Sequence, residues 1–164
     1  MAMIWGQSEL FPEANDSEVQ RTKFLLDKYK DMLILMADYE AYEKELAMVA
    51  VDGEVARRID QDDLHADKTA NAVILIEKQR LVYEQYKFYT RSIFRAYGLI
   101  RDPEAKRAIE RRFIDGYSYS ETMQFFQRSA YSESTVKRKI AEGTAKIANT
   151  LKLWGFFEKD VFDF

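Results

Sequence analysis

Cysteine is missing from the 164 residues, proline occurs twice, glycine six times and histidine once. Without cysteine there is no disulfide scaffold, thiolate metal site or cysteine nucleophile, and the chain suits a reducing compartment. No apolar run approaches the roughly 20 residues of a membrane span; Met32–Ala37 has six and Ala72–Ile76 five. The first residues lack a basic stretch, so no secretory signal is expected. His65 sits beside Asp63 and Asp67 and reads as a solvated loop residue rather than a metal ligand. One loop histidine supplies no nucleophile–histidine–acid set, and no glycine-rich phosphate loop occurs, so neither an enzyme nor a cofactor is expected. What is present is core material: 47% of residues are hydrophobic and 14% aromatic, which excludes disorder.

The net charge of −3 argues against a nucleic-acid partner until it is resolved along the chain. Residues 1–100 hold 13 basic and 18 acidic residues, whereas 104–152 hold 10 basic and 6 acidic. Local fields steer a polyanion, so the second block is the one to follow.

The periodicity predicts an all-α chain: an N-terminal arm over 1–16, a long helical hairpin over 17–100, a helix-turn-helix over 101–154 and an acidic aromatic tail over 155–164. One long helix is expected from Ser17 to about Ala50, with Leu25, Tyr29, Met32, Met36, Tyr39 and Leu46 at heptad-like steps. Gly53 and the Asp60, Asp62, Asp63 cluster suggest the turn, followed by a second helix to Tyr97. Its apolar stripe runs from Ala72 through Tyr83 to Tyr97, widened by Leu75, Val82 and Tyr89. That is enough to cover the first helix and also to support a homodimer. Asp102-Pro103-Glu104 opens a helix over 103–115, Ser118 and Glu121 form a capping box for 119–128, and Ser132 caps 133–154.

The last helix has two chemistries. At 100° per residue, Val136, Ile140, Gly143, Ile147 and Trp154 share one side, opposite Ser134, Arg138, Ala141 and Ala145. Small residues keep that outer side thin enough for a DNA major groove about 12 Å wide. Candidate contacts to double-stranded DNA are Ser134, Thr135, Lys137, Arg138 and Lys139, with Arg128 in the turn and Arg111 and Arg112 on the preceding helix.

The run from Ile109 to Glu121, followed by Tyr131-Ser-Glu-Ser-Thr-Val-Lys-Arg-Lys-Ile140, resembles the C-terminal domain of ArpU-like phage transcriptional regulators. That domain is in turn similar to region four of sigma factors. Leu10-Phe-Pro-Glu13 with Thr22, Leu25, Leu26, Tyr29 and Lys30, and Asp67–Val73, resemble the same family's earlier parts, so the likeness spans about 10–152. The resemblance implies a DNA-binding regulator of phage late genes in a bacterial host's cytoplasm; host RNA polymerase is a candidate partner of the hairpin or the aromatic tail. It matches Ser134, Thr135, Lys137 and Arg138 to recognition-helix positions. The chain departs from the family by about three extra residues between Phe126 and Ser132, which lengthen the turn.

Two other readings stand beside this one. In the first, the hairpin and the aromatics Trp154, Phe156, Phe157, Phe162 and Phe164 make a protein-interaction adaptor. The second is a phage packaging component resembling a small terminase subunit. The tail aromatics themselves either fold back onto the body or bind a partner, and Trp5 and Phe11 pose the same choice.

Overall fold

A computed structural model describes the backbone of residues 10–59 and 63–158 and the side chains of residues 10–45, 47, 48 and 70–158. Among these residues the chain is all-α and has no strand. The helices are α1 (Asp16–Asp27), α2 (Tyr29–Ile59), α3 (Asp63–Gly98), α4 (Pro103–Ile109), α5 (Tyr119–Gln127) and α6 (Glu133–Leu153), with a π-helical turn over Glu110–Ile114. Two compact units result. Asp31–Phe88 forms one, narrower than a 17–100 hairpin, and the segments on either side of it form the other.

The single helix expected from Ser17 to Ala50 is two helices. Asn15 starts α1 through a capping box, accepting from the Glu18 N–H at 2.9 Å while the Glu18 carboxylate accepts from the Asn15 N–H at 3.0 Å. At Lys28 the backbone turns to φ −95°, ψ −1°, and α2 begins one residue later. Lysine is a good helix former, so no residue signals this break. Packing accompanies it: α1 contacts α6, Thr22 and Leu26 are buried, and Leu25 is only half-buried.

In the 31–88 unit, Tyr39 of α2 stacks on Tyr83 of α3 with ring centroids 4.6 Å apart. The Tyr83 hydroxyl donates to Glu40 at 2.6 Å. Tyr39 lies 20 residues before Ile59 and Tyr83 lies 20 after Asp63, so the two helices run antiparallel. Gly53, expected in the turn, lies inside α2. One glycine costs a helix only about 1 kcal/mol relative to alanine, too little to end it. Asp60 and Asp62, and the side chains of Asp63 and His65, fall outside the described residues.

The second unit is centred on α6. Leu26, Ile93, Ile109, Ile147 and Leu151 are all but completely removed from solvent, each stabilising the fold by roughly 1.5–3 kcal/mol. Gly143 sets how closely α4 and α6 approach. A Cβ there would sit 2.4 Å from Ile109 Cγ1 and 3.3 Å from the Ala105 carbonyl oxygen. The helix expected over 103–115 stops being α-helical after Ile109. The Asp115 N–H instead reaches back five residues to the Glu110 carbonyl, at 2.7 Å. Gly116 then ends the segment with φ +80°, a conformation that favours glycine.

The described tail aromatics pack on their own unit. The Arg95 guanidinium lies 4.4 Å from the Trp154 ring centroid, Phe156 lies 5.6 Å from Tyr89, and Arg21 lies 5.5 Å from Phe157. Phe162, Phe164 and Trp5 fall outside the described residues. Among the described residues no helix is long and apolar enough to cross a membrane.

Candidate nucleic-acid interface

Three short-range caps hold the segment from α4 to α6 in register. The Asp102 side chain accepts from the Glu104 N–H at 3.0 Å, Ser118 from the Glu121 N–H at 3.1 Å, and Ser132 from the Thr135 N–H at 3.2 Å. Each satisfies a helix-start N–H that would otherwise lack a partner. Ala108 of α4, Met123 and Phe126 of α5, and Val136 of α6 then form one buried cluster. Tyr119, Phe125, Tyr131 and Ile140 pack against it.

The turn between α5 and α6 is closed by its own backbone. The Ala130 N–H donates to the Gln127 carbonyl at 3.1 Å and the Tyr131 N–H to the Phe126 carbonyl at 3.3 Å, the two bonds of a Schellman cap. The cap requires a left-handed residue, and Ala130 fills that position at φ 62°. The Tyr131 ring meets Phe126 edge-on at 6.0 Å, and its hydroxyl donates to Glu104. Ala130 and Tyr131 therefore close the turn, and Tyr131 fastens it to α4. The five-residue spacing of two aromatics, Phe126 and Tyr131, was the available sequence signal.

The candidate DNA-contacting residues fall into two groups. On α6, Val136, Gly143 and Ile147 are buried, while Ser134, Lys137, Arg138 and Ala141 are exposed, as the helical spacing predicts; Ala145, expected outward, is half-buried, and Trp154, expected on the packed side, is exposed at the end of the helix. Lys137 is 3.4 Å from Glu133 and Arg138 is 3.8 Å from Glu142, both one helical turn away along α6. Exposed pairs of this kind are worth about 0.3–0.5 kcal/mol and exchange readily for a phosphate. Arg128 is also exposed, on a shallow cleft with Tyr117, Gln124 and Phe125. Thr135 is half-buried, and both its hydroxyl and that of Ser134 lie within hydrogen-bond reach of the Ser132 hydroxyl, at 2.8 and 3.2 Å.

The other three are engaged in holding the fold. The Lys139 side chain is only 18% exposed, and its ammonium lies 2.6 Å from Asp102, 3.6 Å from Glu104 and 3.3 Å from Glu142. It ties the N-terminus of α4 to the middle of α6, and it holds the Asp102 carboxyl below the usual carboxylate range. Arg111 lies 4.0 Å over the Phe125 ring and 3.6 Å from Asp115. Arg112 donates to the Tyr117 carbonyl at 3.2 Å and lies 4.0 Å from Asp27. Lys152 is likewise committed, 2.9 Å from Glu18 of α1. Much of the basic block therefore serves the fold. Arg107, Arg128, Lys137, Arg138 and Lys146 of that block are exposed.

Among the described residues no group of three or more histidine, cysteine, aspartate or glutamate side chains could hold a metal ion. No known protein family, curated protein or solved structure matches the chain.

Proposed function

We propose that α5, the capped turn and α6 form a sigma-region-four-like helix-turn-helix, and that the protein is a sequence-specific regulator binding double-stranded DNA. The helical hairpin precedes this module, and the ArpU-like resemblance points to phage late genes as the target. One observation carries the reading. A single helix, α6, is packed along Val136–Gly143–Ile147 and presents Ser134, Lys137, Arg138 and Ala141 outward, thin enough for the major groove. Arg138 is the base-reading residue, because a guanidinium can donate two parallel hydrogen bonds to a guanine edge. Lys137 and Arg128 contact phosphates, aided by the N-terminal N–H groups of α6.

The test is selection of DNA fragments by the purified chain, followed by binding titrations on the recovered sequence. Arg138→Ala weakens that site by roughly 1–3 kcal/mol, and Lys137→Ala weakens all sequences alike and lowers the salt slope by about one. Both variants keep the wild-type unfolding midpoint. If neither changes affinity, α6 is not the reading helix. A chain that retains no DNA even at low salt would instead act as a protein-interaction adaptor.

A further inference from the structure

The 31–88 unit leaves an apolar groove of about 380 Å³ along one side of its two helices, lined by Leu35 and Tyr42 of α2 and by Leu75 and Tyr86 of α3. Leu35 is 52% exposed, Tyr42 50% and Leu75 58%, so the groove holds large side chains the single chain does not cover. Contiguous apolar surface of this kind marks an interaction site. Its rims differ in charge. On α2, Asp31, Asp38 and Glu45 recur every seven residues beside Leu35 and Tyr42, which are themselves seven apart. On α3, Lys78 borders the groove between Leu75 and Val82, also seven apart. Seven-residue spacing keeps a stripe facing a neighbouring helix along a bundle.

We infer that the occupant of this groove is a second copy of the chain. The two hairpins meet groove to groove about a two-fold axis parallel to the helices, forming a four-helix bundle with α2 of each copy over α3 of the other. Such an axis exchanges the two rims and preserves level along the hairpin. Glu45 lies 14 residues before Ile59 and Lys78 lies 15 after Asp63, so they differ in level by one residue, about 1.5 Å. The rotation therefore sets Glu45 of each copy against Lys78 of the other, twice per dimer, around an apolar centre. The groove carries both halves of this complementarity itself, which is what selects a second copy over a partner of different chemistry. The inference is independent of DNA binding.

Sedimentation equilibrium of the full chain tests it. The wild type is expected at twice its 19.3 kDa mass. Glu45→Lys and Lys78→Glu each turn two attractions into two repulsions, raising the dimer dissociation constant by roughly tenfold or more. Mixed one to one, these two variants restore a dimer of wild-type affinity, because every rim pair is again of opposite sign. That recovery also shows that both variants fold. Leu75→Asp, at a position exposed in the single chain, abolishes the dimer while helical circular dichroism is unchanged. A wild-type chain that stays at 19.3 kDa at high concentration, a larger assembly, or a mixture that fails to recover overturns the proposal.

Discussion

At the scale of single residues, two positions carry constraints that their neighbours do not. Ala130 occupies the left-handed conformation at φ 62°, which costs an L-residue with a Cβ about 1–2 kcal/mol. Ala130→Gly relieves that strain but adds freedom to the unfolded chain, so the net gain is about 0.5–1 kcal/mol. A higher urea midpoint with unchanged slope checks this, and a lower midpoint would show that the turn is not held as described. Gly143 works in the opposite sense. Alanine there puts a methyl within 2.4 Å of Ile109 Cγ1, so Gly143→Ala destabilises by about 1–3 kcal/mol through overpacking. Thermal unfolding of the variant reads the loss, and Ile109→Ala in the same chain should recover part of it by making room.

At the scale of elements, α6 carries side chains that hold the fold next to side chains left exposed. Lys139 faces Asp102, Glu104 and Glu142, whereas Arg138, the next residue, is 66% exposed at its side chain. Lys139→Met is expected to lower the unfolding midpoint, because it leaves three carboxylates clustered without their cation. Arg138→Ala leaves that midpoint unchanged. Equal effects of the two substitutions on stability would contradict this division. Helical spacing sets Lys137 and Lys139 about 100° to either side of Arg138, as equivalent flanks, so sequence alone could not tell which of them holds the fold. What decides it is the position of the α4 N-terminus, where Asp102 caps with one oxygen and receives Lys139 with the other. The capping signals themselves were legible: Asp102, Ser118 and Ser132 all cap as their residue types and spacings suggest. Lys28 and the π-helical turn were not, because nothing in side-chain chemistry marks either.

For the whole molecule, the pH dependence of stability has two arms with different owners. Hydrogen bonding to Lys139, then to the Glu104 N–H, holds the Asp102 carboxyl below its ordinary value. The Asn15 backbone hydrogen bond, then Lys152, does the same for Glu18. A carboxyl with a depressed folded pKa stabilises above its unfolded value of about 4, and that stability is lost as pH falls through the folded value. On the alkaline side, the hydrogen bond to Glu40 pushes the Tyr83 phenol up to about 12, and burial followed by the Glu110 charge does so for Tyr97. A raised pKa has the reverse sign. Its contribution is complete below about pH 10 and disappears as pH rises toward 12. Urea midpoints measured against pH are therefore expected to fall at both ends. Asp102→Asn, which keeps a capping side chain, flattens the acid arm. Glu40→Gln flattens the alkaline arm and returns one tyrosine toward 10 in a near-ultraviolet titration; an unmoved tyrosine would refute the Tyr83 assignment.

Helical periodicity, capping residues and the charge division along the chain were enough to determine an all-α chain and the two faces of α6, because those properties depend on residues within a few turns of one another. The break at Lys28, the compact 31–88 unit and the fastening of Lys139, Arg111 and Arg112 into the fold depend on groups far apart in sequence. Lys152 meets Glu18 across 134 residues, and Lys139 meets Asp102 across 37. Local spacing carries no information about such pairings, so only the tertiary structure decided which of the basic residues remain available to a partner.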